Sequence, residues 1–241
     1  MNAVFTCSVD DGHPADLKTA TLLDKHGLAA TFYIPINNRE GSPVMGAKQL
    51  RQLGKGFEIG SHTRDHRYLK NISARDAYDQ VMDGKKALED MLGHGVSGFC
   101  YPGGKFSRRD EKLVEACGFG YARTTANLCF SKGKAAYRMP TTVQFFPHEA
   151  SAYLRGYVET GGWHARQDGL RIALQHQDWT DRLFAMFDHA CEHGGVFHLW
   201  MHSEEIDELG LWKQLDGFFA YVSARLEDGA SLTNLQLSQL G

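Results

Sequence analysis

No run in this 241-residue sequence is apolar for long enough to cross a bilayer. Nor does it open with a basic segment, an apolar stretch and a cleavage site; an apolar strand begins by Val4, so a cytoplasmic protein is the plain expectation. Neither sign of charge dominates. The 26 Lys and Arg against 29 Asp and Glu leave −3, which gives no case for nucleic acid or an anionic membrane as the main partner. The five cysteines include no CxxC pair, and the odd count argues against a disulfide framework or a cysteine zinc knuckle. Cys7, Cys100, Cys117, Cys129 and Cys191 are therefore read as small core hydrophobes. With 42% hydrophobic residues and no repeat, low-complexity tract or linker, the chain is expected to form one globular domain over residues 1–241.

What is present is an alternation of strand and helix patterns. Val4–Val9, Ala29–Ile36, Phe57–Thr63, Ser97–Pro102, Phe119–Thr125 and Val196–Met201 read as short buried strands. Between them lie helical patterns: one opening at Pro14 and stopping at Gly27, one capped by Ser73, one from Ser107 to Gly118, and later ones from Asp178 and Leu211. Residues 126–178 are harder to read and hold at least one helix near "HEASAYLRGYVE". Alternating β and α with short loops implies a parallel sheet, with active groups at the C-terminal ends of the strands. At this length a closed or partly closed barrel is favoured over an open doubly wound sheet.

Two acidic residues stand side by side at such an end, in "CSVDDGHPAD". An Asp-Gly turn before a helix explains them in part, since carboxylates favour helix N-termini. His62 and His66 leave another strand end four residues apart, where one helical turn would aim both rings the same way. An acidic residue with two histidines can hold a catalytic metal while leaving positions for water and substrate. The same spacing recurs at His189/His193, read as a helix-end pair, and at His198/His202, which share one face of a strand.

"FTCSVDDG", "LLDKHGLAATFYI", "FEIGSHTRDHRYL", "FCYPGGKFSRRD" and "HLWMHS" occur in an order and spacing that resemble the polysaccharide deacetylase superfamily, carbohydrate esterase family 4. The resemblance runs from about Val4 to Glu205. It implies a distorted (β/α) barrel of about seven strands and metal-dependent hydrolysis of an acyl group on a sugar. Carried over by position, it makes Asp10 the general base, Asp11, His62 and His66 the metal ligands, and His202 the general acid. "CYPGG" then supplies the oxyanion and substrate contacts around Tyr101 and Gly103. The implied cofactor is a divalent metal, zinc first, with cobalt, manganese or nickel as alternatives.

The match has departures. Cys100 stands where many relatives carry an arginine that pairs with the catalytic acid, so Arg123 or Arg138 is a candidate for the missing charge. "QHQDW" resembles a degenerate fourth motif, with Gln175 for an acid and Asp178 as a possible tuning group. His13 is a candidate substrate contact or a helix cap, Trp200 a sugar platform or a core residue, and His198 a support for the acid or a satisfied buried histidine. Glu204 or Glu205 either orients His202 or begins the next helix. The expected substrate is an acylated amino sugar, inside the cell more plausibly a nucleotide- or lipid-linked precursor of a surface glycan such as O-antigen than an assembled wall. Deformylation, a small non-sugar amide, or a silent glycan-binding member are the competing readings; the sequence does not fix the oligomeric state.

Overall fold

The computed structural model describes residues 3–240. Seven strands, β1 (Ala3–Asp10), β2 (Thr31–Ile34), β3 (Glu58–Ser61), β4 (Gly98–Cys100), β5 (Tyr121–Arg123), β6 (Val143–Gln144) and β7 (Gly195–His202), form one sheet. Its order is β5-β4-β3-β2-β1-β7-β6, and every pairing is parallel. Ten helices surround it: α1 (Asp16–Lys25), α2 (Ala47–Leu53), α3 (Ala74–Leu92), α4 (Arg108–Ala116), α5 (Ala150–Thr160), α6 (Trp163–Gln175), α7 (Trp179–His193), α8 (Ser203–Glu208), α9 (Trp212–Ser223) and α10 (Asn234–Gln239).

The sheet curls into a half-barrel, and the segment 139–144 spans its two edges. Met139 bridges Arg123 of β5, while Val143 and Gln144 pair with Leu199 and Trp200 of β7. This is the distorted barrel expected from the sequence. α2, β6, α6, α8 and α10 are the elements the sequence patterns did not mark; four of the five have fewer than eight residues.

Alternation along the strands separates two environments. Phe5, Cys7 and Val9 of β1 and Phe197, Leu199 and Met201 of β7 belong to the main apolar core. α1, α3, α7 and α9 bring Leu23, Leu88, Phe187 and Phe218 to the same core. Leu199 therefore packs in this core with residues of the helices. The opposite parity is polar: Thr6 pairs in register with His198, Ser8 with Trp200, and Asp10 with His202.

This polar row is satisfied by the C-terminal segment. Phe5 donates to the Ala230 carbonyl and accepts from Leu232 N–H, each at 2.9 Å. Thr6 Oγ1 donates to the Leu232 carbonyl and to Asn234 Oδ1 at 2.7 and 2.8 Å. The Asn234 amide donates to Ser8 Oγ and Tyr33 Oη at 2.7 and 2.9 Å. Ser8 in turn contacts His198 Nε2 at 2.6 Å, and His198 Nδ1–H donates to the Pro140 carbonyl at 2.9 Å. His198 is thus a satisfied interior histidine, not a partner of His202.

Burial, reinforced by the Arg123 charge, pushes the His198 pKa from 6.5 down to about 3. The folded chain keeps this ring neutral while the unfolded chain protonates it, so between those pH values the unfolded state binds the extra proton. Stability should fall as pH drops through that window, by about 1.4 kcal/mol per unit at most. Urea midpoints measured from pH 7 to 4.5 should decline more steeply for the wild type than for His198→Gln. Parallel curves would show that His198 does not carry the effect.

Candidate active site

β1 delivers Asp10 and Asp11 to the C-terminal rim of the half-barrel. Asp10 is the last strand residue, and Asp11 turns away with φ of 78°, a left-handed conformation that Asp tolerates better than most residues. Asp11 N–H still donates to the Tyr33 carbonyl at 3.0 Å, which fixes where the turn begins. Gly12 follows at φ of 65°.

β3 delivers the histidines through a loop and not through a helical turn. Thr63 and His66 both have positive φ, 68° and 52°, and this reversal brings the His62 and His66 rings to a 5.0 Å centroid separation. The loop is held from several sides. Arg64 N–H donates to the Gln80 carbonyl of α3 at 2.8 Å, Asp65 N–H to Gln80 Oε1 at 3.0 Å, and Arg67 N–H to Thr63 Oγ1 at 3.1 Å. Gly84 lets α3 approach this closely: a Cβ there would lie 2.8 Å from the Thr63 carbonyl carbon and 2.9 Å from Arg64 N.

Asp11 Oδ1 lies 3.4 Å from His62 Nε2 and 3.2 Å from His66 Nε2. His62 Nδ1–H donates to the Cys100 carbonyl at 2.9 Å, so its Nε2 is the atom left to face the carboxylate. Asp11 Oδ1 is buried and has no hydrogen-bond partner among the described residues. One carboxylate oxygen and two imidazole nitrogens converging in this way are a donor set for a divalent cation of borderline softness. Burial alone would raise the Asp11 pKa, but the close approach of His62 and the charges of His62, His202 and His66 hold it well below the carboxylate range. The residues present fit a metal.

Asp10, 3% exposed, pairs with Arg123 of β5, which is fully buried. In the sheet β4, β3 and β2 lie between these strands, so the contact crosses the concave interior. Arg123 is next to Cys100 in register, and the charge absent from β4 is supplied by the adjoining strand. Tyr33 and Trp200 flank the guanidinium with ring centroids 5.3 Å from Cζ. Arg138, the other candidate, is spent on Glu111.

His202 ends β7, with Nε2 3.7 Å from Asp11 Oδ2 and Nδ1 2.9 Å from Glu205 Oε2. Burial pulls its pKa down, but the Glu205 hydrogen bond and the charges of Asp11 and Asp10 outweigh that and carry it to about 9. The ring is therefore protonated at neutral pH. Glu205, at the start of α8, is the acid that orients it; Glu204 accepts from Ser42 Oγ at 2.6 Å instead.

These groups line a pocket of about 300 Å³ with Glu40, Tyr68, Gly103, Thr125 and Trp200. Gly103 has φ of 57° and packs so close to Tyr68 that a Cβ would lie 2.9 Å from its ring. The Tyr101 carbonyl accepts from Gly104 N–H and the Pro102 carbonyl from Lys105 N–H, while the Gly103 N–H has no such loop partner among the described residues. Trp200 is half-buried on the pocket wall, edge-on to His202.

Three expected residues lie elsewhere. Tyr101 stacks on Phe106 behind the loop and donates to the Tyr137 carbonyl. Asp178 lies on the surface and caps α7, its Oδ1 accepting from Thr180 and Asp181 N–H. His13 accepts from Ala15 N–H at the start of α1 and touches the site only through Glu204, at 3.9 Å. Tyr68, Glu40 and Thr125 were missed; Tyr68 sits two residues beyond His66, and that adjacency was the available signal.

A buried carboxylate–histidine cluster that could hold a metal, a paired acid and a paired imidazolium meet at the rim of a distorted β/α barrel, an arrangement chemically suited to metal-assisted hydrolysis. The profile of the family described as polysaccharide deacetylase matches residues 3–122, and the chain belongs to that family. It is similar to YxkH of Bacillus subtilis, 24% identical over 153 residues covering 63% of this chain and 54% of that one. It is also similar to the peptidoglycan-N-acetylglucosamine deacetylase PgdA of Listeria monocytogenes, 33% identical over 98 residues, 39% of this chain and 20% of that one. The chain thus spans about half or less of the length of these relatives. Among solved structures, one from Mycobacterium smegmatis aligns with a TM-score of 0.64 at 16% identity, covering 99% of this chain and 89% of that one. A family 4 carbohydrate esterase from Streptomyces lividans aligns with a TM-score of 0.54 at 12% identity, covering 92% and 89%. At these identities the structural likeness concerns the fold.

Substitutions at two positions outside the candidate metal site test this geometry. Gly84→Ala adds about 1 kcal/mol of helix propensity, yet its methyl meets the main chain of the histidine loop. Overpacking of about 1–3 kcal/mol should win. A lower Tm and weaker zinc binding by competition titration are expected; a higher Tm with unchanged zinc affinity would show that the loop yields freely. Arg123→Met leaves Asp10 buried and unpaired, a loss of about 3–5 kcal/mol. Arg123→Lys keeps the charge but loses the planar fork, so its Tm should fall between Met and wild type. A Met variant as stable as wild type would rule out Arg123 as the charge that Asp10 needs.

Proposed function

We propose that this protein is a divalent-metal-dependent deacetylase, with zinc as the metal, that removes the N-acetyl group of an amino sugar. The observation that carries the reading is the convergence of Asp11 Oδ1 with His62 and His66 Nε2 beside two further groups, each already paired for its task. A silent binding protein has no need of that pairing.

The metal, held by Asp11, His62 and His66, would polarise the acyl carbonyl and lower the pKa of water. Asp10, fixed by Arg123 and open to the pocket, takes the proton of the attacking water. The Gly103 N–H donates to the oxyanion as the carbonyl becomes tetrahedral. His202 then gives its proton to the departing amine nitrogen, while Glu205 holds Nδ1–H and stabilises the cationic ring beforehand. Tyr68 and Trp200 on the walls, and a larger groove opening beside Gly103, favour a sugar over a small closed-pocket amide.

We assign the substrate to nucleotide- or lipid-linked amino sugars made inside the cell for a surface glycan, and place the protein in the cytoplasm. Proton NMR of acetate release from N-acetylated and N-formylated sugars, with zinc and with chelator, tests the chemistry. Acetate release should stop with chelator and on Asp11→Ala, and fall about 10²–10⁴-fold on His202→Ala. Release that ignores the chelator, or purified protein that takes up no metal, overturns the reading.

A further inference from the structure

We infer that the surface beside the catalytic pocket is a binding site for the diphosphate of an activated sugar. This rests on the deacetylase reading for its purpose, but its evidence is separate. The pocket shares Gly103 and Thr125 with a groove of about 700 Å³. On another side it shares Glu40, His66 and Tyr68 with a shallower depression of about 480 Å³. Lys70 lines both depressions, so the three form one continuous surface bent around Tyr68.

The charge on that surface runs against the balance of the chain. Arg39, Arg67 and Lys70 line the shallow depression, and Lys70 and Lys105 the groove. None of these four cations lies within 4 Å of a carboxylate among the described residues, in a protein whose formal net charge is −3. The other two cations of the groove are already spent. Arg138 pairs with Glu111, and Arg166 donates to the carbonyls of Asn127, Gly156, Tyr157 and Gly161. Glu159 in the groove and Glu40 in the shallow depression are the carboxylates that line these two, while Asp10, Asp11, Glu204 and Glu205 line the pocket itself. Cations that line one surface without carboxylate partners give it a positive potential, which a ligand with two or more negative charges meets favourably.

The geometry also joins the two ends of such a ligand. Lys70 N–H donates to the Lys105 carbonyl at 3.0 Å, which ties together the two loops that carry the ammonium groups. Between pocket and groove stand Gly103 and Gly104, which carry no side chains of their own and pack against those of Tyr68 and Thr125. A sugar ring against Tyr68 and Trp200 can continue through its anomeric oxygen over these glycines toward Lys70 and Lys105. A neutral polysaccharide gains nothing from that charge.

Zinc-loaded protein titrated calorimetrically with inorganic pyrophosphate, uridine diphosphate and a short prenyl diphosphate tests the site without reference to catalysis. Binding should weaken about 10-fold or more in the Lys70→Gln/Lys105→Gln double variant and should weaken with added salt. The carrier bound more tightly identifies the nucleotide or the lipid as the natural source. No binding, or an affinity the double substitution leaves unchanged, overturns the proposal. So does binding abolished by Asp11→Ala, since the anion would then sit on the metal. In acetate release, the double variant should raise KM about 10-fold for a nucleotide-linked N-acetyl sugar, leave kcat alone, and leave the free sugar unaffected. Wild-type protein that prefers the free sugar also overturns it. Lysine-dependent binding with no hydrolysis of any substrate would sink the deacetylase reading and leave this site standing.

Discussion

The ion pair between Asp10 and Arg123 sets the shape of this molecule. The two residues belong to β1 and β5, with three strands between them, so they can meet only if the sheet curls until its inner face closes on itself. Both are buried, and an unpaired charge in that position would cost several kcal/mol. The curl also brings Tyr33 and Trp200 against the guanidinium, which replaces lost hydration with ring faces. The same contact leaves the Asp10 carboxylate on the pocket wall beside His202, its register partner on β7.

The order of the catalytic elements was legible because each motif sits where a strand pattern ends. β1, β3, β4 and β7 are short and apolar on one side, and the residues just past them could be read as rim groups without knowing the curvature. Curvature was what the sequence hid. Nothing local marks Arg123 as the partner of Asp10, since the two are 113 positions apart and linked only through the register of Cys100. Asp178 is the opposite case: it serves locally as the cap of α7, a role that a motif match cannot see. The stretch from 126 to 178 stayed obscure because its strand has two residues and its last helix, α6, carries no side-chain cap.

Two residues of the candidate metal site, Asp11 and His66, adopt backbone conformations that side chains ordinarily avoid, and Thr63 between the histidines does the same. Each such residue costs on the order of 1–3 kcal/mol. The cost is met by neighbours that leave the loop no alternative: Gln80 on α3 binds it three times, and Gly84 allows the helix to lie against its main chain. α3 thus has a second duty besides its apolar stripe of Ala77, Val81 and Leu88. It acts as a splint for a strained segment, which explains a glycine in the middle of a 19-residue helix.

Asn234 holds the polar groups of β1 and β2 from below, through bonds that span more than 200 positions of sequence. Until those distant segments meet, the hydroxyls of Thr6 and Ser8 lack these partners. Loop closure over such distances is slow, so the barrel waits late for this contact. An insertion near residue 234 would thus act on closure of the barrel before it touched the chemistry at the opposite rim.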